Sequence, residues 1–519
     1  MMNIRYVFSR LGLLFIVFSG IMLAMAAAFF LTQKITHHVV DFDAELAFII
    51  SGGIGIVIGL ILWLTMRKGS RILGRREALL LVALSWLFGA ALGALPYFVW
   101  AQLSEMAAAS QFQNFIDCYF EAMSGLTTTG ATVLSDIESI PPSLLFWRAI
   151  THWLGGLGIV VLFVAVLPSL GVGGKKLFQV ESTVLSPGGL QPQVKEAARV
   201  LVTIYLGMTL LEIIALKLAG MSLFDATCHT FSTLATGGLS TKNASIGHYA
   251  NKPAIDFIII VFMVFAGVNF ALYHQFIKRR SLRVFQDTEL RFYLLLIAAG
   301  TLLVFFSILN AGAPLVLTTG ESVEAGLGQT LRQSLFTVVS LKTGTGFCTS
   351  DYNLWPFFTH AVLIFLMFSG GCSGSTAGGI KVIRLWILFK ILIAEIEHAF
   401  RPNVIRPVRV GGNTIDPDLK LSTIAYVLGT LVLLGLGSVA IMLLEGANPA
   451  SDCSFTTAAS ASMSTICVIG PGLAQVGALE NYGWFSGPSK AVMCVLMLLG
   501  RLEIFAIIVL FTPRFWRGD

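Results

Sequence analysis

Ten long apolar stretches dominate this sequence, near 11–31, 45–66, 78–100, 147–170, 198–219, 254–277, 291–312, 358–394, 421–444 and 489–512. One water-soluble core could not absorb so many. Crossing a bilayer as an α-helix takes roughly 20 apolar residues. In lipid the backbone must satisfy its own hydrogen bonds, so these stretches are expected to be helices. Only 12% of the residues are charged, against about a quarter in ordinary soluble domains. The chain therefore reads as an all-α, multi-pass membrane protein whose outer surface meets lipid. The first stretch lacks a small-residue cleavage site followed by polar sequence and reads as a retained helix.

The net charge of +6 does not point to nucleic acid, because the cations fall in segments between apolar stretches. They are Arg5 and Arg10; Arg67, Lys68, Arg71, Arg75 and Arg76; Lys175, Lys176 and Lys195; Lys278, Arg279, Arg280 and Arg283; Arg401, Arg406, Arg409 and Lys420; and Arg514 and Arg517. The alternate loops are long and poor in basic residues. Basic loops stay on the cytoplasmic side, which puts both termini in the cytoplasm and agrees with ten crossings. Seven dispersed cysteines (118, 228, 348, 372, 453, 467 and 494), with no CxxC pair, read as free buried thiols rather than a disulfide or metal framework.

The four long outer loops, roughly 101–146, 220–253, 313–357 and 445–488, share an internal pattern. Each carries an apolar-to-small stretch in which a serine is followed six residues later by a glycine. The four read SGLTTTGAT from Ser124, STLATGGLS from Ser232, SLKTGTGFC from Ser340 and STICVIGPG from Ser464. The glycines are Gly130, Gly238, Gly346 and Gly470; the first three are 108 residues apart and the fourth follows after 124. Gly237 is an alternative in the second segment, but only Gly238 keeps the serine register. With an apolar helix on either side, the unit is helix, pore loop, helix, and four units form a pseudo-fourfold ring. The repeats are set at 71–171, 195–278, 288–395 and 418–519, with a peripheral two-helix region at 1–70.

A re-entrant backbone is tolerated at membrane depth only where it is buried in protein or lines water. An alkali cation entering a narrow path must exchange its water shell for other oxygens, and rings of backbone carbonyls can supply them. Aiming successive carbonyls at one axis takes backbone angles that glycine adopts without steric cost. A short helix pointing its C-terminal end inward adds a partial negative charge that favours a cation. Any one of these glycines alone could be a helix cap or packing point.

With the repeat in hand, the chain resembles the TrkH/KtrB/HKT superfamily of potassium transporters, within it most closely the bacterial TrkH branch, along essentially its whole length. The resemblance rests on TTTGAT at 127–132, ATGGLS at 235–240, TGTGF at 343–347, IGPG at 469–472, GGCSGSTAGGIKVIR at 370–384 and GRLEIFAIIVLFTPRFW at 500–516. It implies potassium uptake across the bacterial inner membrane, one pore per subunit, a homodimer, and a cytoplasmic TrkA-like regulator. NAD or ATP would bind to that partner, and the only ion held here would be K+. Carried onto this sequence, the filter comprises Thr129, Gly130, Gly237, Gly238, Thr345, Gly346, Ile469 and Gly470. Two departures stand out: Lys342 lies four residues before Gly346, and the fourth repeat reads CVIGPG without the family's asparagine. Lys342 is expected to point away from the axis, to the outer surface or a helix carboxylate.

Five glycines fall within SGGCSGSTAGG at 369–379. Each costs about 1 kcal/mol relative to alanine in a helix, so the helix is expected to break there. The resemblance assigns this segment to gating, through Gly370, Gly371, Gly374, Gly378, Gly379 and the following Lys381, although Lys381 could simply snorkel. Two rival readings are tight small-residue packing and a phosphate loop, since Gly374 and Gly379 have GxxxxG spacing. The latter lacks the Lys-Ser/Thr ending and a preceding strand. Arg501 lies within the last apolar stretch, where a central charge costs roughly 2.5–3.5 kcal/mol. The resemblance places it facing the pore; pairing with Glu503 or a neighbouring helix carboxylate is the alternative.

For His152 and Trp153, interfacial anchoring and helix packing explain the residues as well as a functional role does. Glu121, Asp225 and Asp452 could draw cations to the mouth or cap helices, and Gly55/Gly59 and Gly89/Gly93 read as packing contacts. Without HExxH, GxSxG or a carboxylate dyad, the sequence does not point to an enzyme. A symporter coupling potassium to proton or sodium would need a titratable group in the membrane, and no buried carboxylate pair is evident.

Overall fold

The structure, a computed structural model, describes residues 2–36, 42–67, 74–165, 190–279, 282–312, 314–403, 407–448 and 453–517. Lys68, Arg71, Lys175, Lys176, Arg280, Arg406, Asp452 and the end of the 147–170 stretch lie outside them. The described chain is mostly helical. Six of its helices are long and apolar enough to cross a bilayer by length and composition.

Helices α1 (Ile4–Thr36) and α2 (Phe42–Met66) pair closely at one side of the bundle. A Cβ on Gly12 would lie 2.6 Å from the Gly59 carbonyl oxygen, and one on Gly59 would lie 2.8 Å from that of Gly12. Small residues here let two backbones touch, as membrane helices favour. The remaining long helices include α3 (Arg75–Leu103), α5 (Pro142–Ala165), α6 (Leu190–Leu218), α10 (Thr288–Ala311) and α14 (Pro417–Gly446). Helix α6 has two distinct faces. Tyr205, Met208, Thr209, Glu212 and Leu216 are buried, whereas Leu206, Leu210, Leu211, Ile214 and Leu218 are exposed. That is the helical period with its apolar outer face left for lipid.

Between long helices lie four short ones: α4 (Phe115–Thr127), α7 (Leu223–Leu234), α11 (Leu327–Thr343) and α15 (Phe455–Cys467). Ser222 and Ser454 cap two of their N-termini by accepting the amides of Asp225 and Thr457, which satisfies orphan donors of the first turn. Each short helix ends at one of the serine–glycine segments, and its final turn is buried. Two small hairpins, Leu315–Val316 with Ser322–Val323 and Arg409–Val410 with Asn413–Thr414, lie between helices.

Two apolar stretches expected as single helices are broken. The first is α8 (Pro253–Ala266) followed by α9 (Phe270–Arg279), bent by 93°. The second is α16 (Gly487–Arg501) followed by α17 (Ile504–Ile508), bent by 115°. Hydropathy does not register such breaks, because the residues on both sides remain apolar. At the first break, the glycine-rich segment supplies the missing hydrogen bonds. The Cys372 amide donates to the Gly267 carbonyl at 2.9 Å, and the Phe270 amide donates to that of Gly374 at 3.1 Å. The 358–394 stretch divides, as its glycines predict, into α12 (Phe357–Phe368) and α13 (Val382–Phe400).

Glu121 does not face the mouth as a free carboxylate. It is buried in an ion pair with Arg148 at 2.7 Å, and it also accepts the Val133 amide at 2.9 Å. Arg148 further donates to the Thr132 hydroxyl and the Ser240 carbonyl, so the pair ties the first outer segment to the second. Removing one member of a buried pair strands the other charge, typically at a cost of about 3–5 kcal/mol. Arg148→Met is therefore expected to lower the thermal midpoint in detergent clearly. Lys242→Met, which removes the partly exposed partner of Glu138, is expected to change it little; equal shifts would contradict this assignment.

Candidate functional site

The four serine–glycine segments meet in a closed ring. A Cβ on Gly130 would lie 1.8 Å from the Gly237 carbonyl oxygen, one on Gly238 1.9 Å from that of Thr345, and one on Gly346 2.1 Å from that of Ile469. The circle closes where a Cβ on Gly470 would lie 2.7 Å from the Thr129 oxygen. Each glycine thus abuts the next segment's main chain with no room for a side chain. All eight expected positions fall in this ring.

The same local geometry recurs four times. The amides of Thr129, Gly237, Thr345 and Ile469 donate to the carbonyls of Ser124, Ser232, Ser340 and Ser464 at 2.8, 2.8, 2.9 and 3.0 Å. Two residues before each glycine, Thr128, Thr236, Gly344 and Val468 have φ of 56°, 55°, 75° and 60°. The glycines themselves have φ between 80° and 93°. Three non-glycine residues in the left-handed region cost strain, held here by the serine bonds and complete burial.

His152 is buried rather than interfacial. Its Nδ1–H donates to the Gly125 carbonyl at 2.8 Å, leaving Nε2 to accept the Leu239 amide at 3.4 Å. The imidazole therefore bridges the first short helix to the second turn. Trp153 packs on Tyr205 and Phe231, and Asp225 accepts the Thr241 hydroxyl. On one side of the ring, Thr132, Ser240, Lys242, Glu138, Glu480 and Tyr482 help line a cavity of about 360 Å³ that reaches all four glycines.

The glycine-rich segment lies against the other side. Its Thr376 hydroxyl is 2.9 Å from the Leu234 carbonyl at the end of α7, and a Cβ on Gly378 would lie 2.7 Å from the Cys467 carbonyl oxygen. A Cβ on Gly370 would meet the Gly378 oxygen at 2.0 Å, and one on Gly371 the Ala377 Cβ at 2.6 Å. Gly374 and Gly379 are left-handed, with φ of 70° and 69°. Tight packing and a helix break thus coexist. A helix precedes the segment, and Asn269 crowds Gly374, so the phosphate-loop alternative finds no support.

Four charged residues hold this segment. Lys342 turns neither to the outer surface nor to a carboxylate; its ammonium donates to the Ser369 carbonyl at 2.7 Å and also to that of Gly370. Lys381 is buried and donates to the Ala377 carbonyl at 2.5 Å, so it does not snorkel. Arg501 donates to the Thr376 carbonyl at 2.7 Å and the Gly155 carbonyl at 3.3 Å. Its alternative partner, Glu503, instead pairs with Arg384 at 2.8 Å. Glu289 accepts the amides of Ser373 at 2.7 Å and Ile383 at 3.1 Å, clamping both sides of the segment. Sequence reasoning missed Glu289, Arg384, Tyr482 and the fully buried Glu212 on α6. Glu212 and Arg384 carried a usable signal, as charged residues inside apolar stretches.

Long apolar helices around short helices whose end turns meet in one ring define a multi-pass membrane protein. The match to the TrkH family, described as cation transport proteins, covers residues 44–517, and the chain belongs to that family. It is 35% identical to the Trk system potassium uptake protein TrkH of Salmonella typhimurium, over 99% of this chain and all of that one. It is 34% identical to the potassium uptake protein TrkG of Escherichia coli, over 88% of each chain. The crystal structure of the potassium transporter TrkH from Vibrio parahaemolyticus matches with a TM-score of 0.83 and 32% identity, covering 99% of this chain and all of that chain.

Hydrogen bonds to a charged group contribute about 1.5–3 kcal/mol each. Glu289→Ala is therefore expected to speed amide hydrogen exchange at Ser373 and Ile383 about tenfold or more, while amides of the 124–131 turn keep their protection. Unchanged exchange at both amides would remove Glu289 from this role.

Proposed function

We propose that this protein carries potassium across the bacterial cytoplasmic membrane through the centre of the ring, with both termini in the cytoplasm. The observation that carries the reading is the cyclic contact of four glycines with four neighbouring carbonyls. Units 71–171, 195–278, 288–395 and 418–519 stand around one axis, with 1–70 peripheral. Main-chain oxygens from Thr129, Gly130, Gly237, Gly238, Thr345, Gly346, Ile469 and Gly470 replace part of the ion's hydration, and their number and field select among cations. The alternating φ signs within each turn support this, because they allow neighbouring carbonyls to face one side. The C-terminal ends of α4, α7, α11 and α15 add partial negative charge.

The segment with Gly370, Gly371, Gly374, Gly378, Gly379 and Lys381 obstructs the path beyond the ring and opens by moving. Arg501 supports this gate, since it binds the segment only through carbonyls, and among the described residues no carboxylate pairs with it. Its positive charge raises a barrier to cations while the segment is in place. The protein acts as a homodimer under a cytoplasmic TrkA-like regulator, and NAD or ATP acts through that partner. A symport reading, with potassium coupled to proton or sodium, draws on one observation, the buried carboxyl of Glu212. Reversal potentials at two pH values separate the readings: passive flow leaves them unmoved at constant potassium.

Flux of potassium, rubidium, sodium and lithium into liposomes bearing the purified protein tests the reading. Potassium flux down its gradient is expected. Gly346→Ser, placing a side chain against the Ile469 carbonyl, is expected to lower potassium-over-sodium preference, and deletion of 370–379 to raise flux. If neither variant alters transport, both assignments are wrong.

A further inference from the structure

We infer that the glycine layer of the ring is three-sided, because Ser464 and Tyr482 withdraw the Gly470 carbonyl from the ion path and make Tyr482 a specificity-determining residue. The inference rests on the carbonyl-filter reading and revises it at one position, taking the Gly470 oxygen out of the eight named above.

The four register serines do not bond alike. Ser232 and Ser340 donate their hydroxyls to the carbonyls of Leu239 and Phe347, each at 2.7 Å and each one residue beyond the glycine. In the first segment the Ser124 hydroxyl has no hydrogen-bond partner among the described residues. In the fourth, the Ser464 hydroxyl donates to the carbonyl of Gly470 itself, one peptide earlier. The Tyr482 hydroxyl adds a second donor to the same oxygen at 2.7 Å, shorter than the 3.1 Å to the Ser464 Oγ that competes for its single proton.

A carbonyl oxygen has two lone pairs, and here two hydroxyls occupy them from the scaffold side. That oxygen has no lone pair left for a cation. Among the described residues the glycine carbonyl of the third segment accepts only from the Cys348 thiol at 3.6 Å, a weak donor that leaves the oxygen available.

Tyr482 is fixed in place for this. It is buried, its amide donates to the Thr132 carbonyl at 2.8 Å, and its ring lies between Phe120 and Phe485 with centroids 5.5 and 5.9 Å away. The first unit therefore holds the tyrosine that sets the fourth unit's carbonyl. Pro471, directly after Gly470, removes an amide that could otherwise help set the turn. An ion at the glycine layer meets three main-chain oxygens and one gap, a weaker field that discriminates less sharply between potassium and sodium.

Potassium and sodium permeabilities of the intact protein in liposomes, compared with Tyr482→Phe, Ser464→Ala and the double variant, test this. With both hydroxyls gone, the Gly470 oxygen is free to turn inward. The potassium-over-sodium ratio is expected to rise about threefold or more, on the order of 0.7 kcal/mol, with potassium flux retained. A merely structural tyrosine would lower flux for both ions and leave their ratio alone. Should the double variant not accumulate, Tyr482→Phe alone is expected to move the ratio in the same direction. Gly346→Ser serves as the control. If it shifts the ratio while the hydroxyl variants leave it unchanged or lower it, the three-sided layer is overturned and the filter reading stands. If no variant shifts it, the filter reading falls as well.

Discussion

Inside a bilayer, a main-chain amide or carbonyl that leaves a helix has no water to replace its partner. The irregular segments around the ring answer that constraint with protein. The four turns satisfy their first free amides through the serine carbonyls. The glycine-rich segment satisfies its own groups and those freed by the break between α8 and α9. One broken helix thus supports another, and the kinks and turns form a single connected core. Long helices around it present leucine, isoleucine and phenylalanine outward and keep lipid from the unwound backbone.

Charge in this core is confined by the same logic. Burying an ion is costly unless it is hydrogen-bonded or paired. Glu121 and Arg148 meet that condition as a pair between adjacent outer segments, and Arg384 and Glu503 meet it where two broken helices approach. Lys342, Lys381 and Arg501 each donate to main-chain carbonyls. Carbonyls solvate a cation without cancelling its charge. Arg501, with which no carboxylate pairs among the described residues, therefore bears on the glycine-rich segment as a positive charge, which suits that segment's proposed service as a barrier to cations. The ring lies against that segment, with the main-chain oxygens of Thr129, Gly237, Thr345 and Ile469 set against its glycines.

Much of the fold is legible in the residues themselves. Apolar length alone marks α1, α2, α3, α6, α10 and α14, because a lipid-facing helix must be apolar wherever it is exposed. Glycine content marks the break between α12 and α13. The breaks at Gly267–Asn269 and Leu502–Glu503 are not legible, since their flanking residues are as apolar as those of an intact span and the partners that stabilise the breaks lie far away in sequence. His152 and Glu121 are ambiguous for a related reason: a polar residue near the end of an apolar stretch looks the same whether it meets the interface or a buried partner.

Sequence by itself determined that this chain lies in a membrane as helices, and that four segments carry one serine–glycine register. Both follow from local chemistry, hydrophobic length in the first case and backbone permissiveness in the second. Only the tertiary structure decided that the four glycines meet in one ring, that Lys342 turns its charge onto the glycine-rich segment, and that Gly470 alone gives its carbonyl to Ser464 and Tyr482. Those outcomes depend on contacts between residues tens to hundreds of positions apart. No local rule fixes which oxygen a distant hydroxyl will reach.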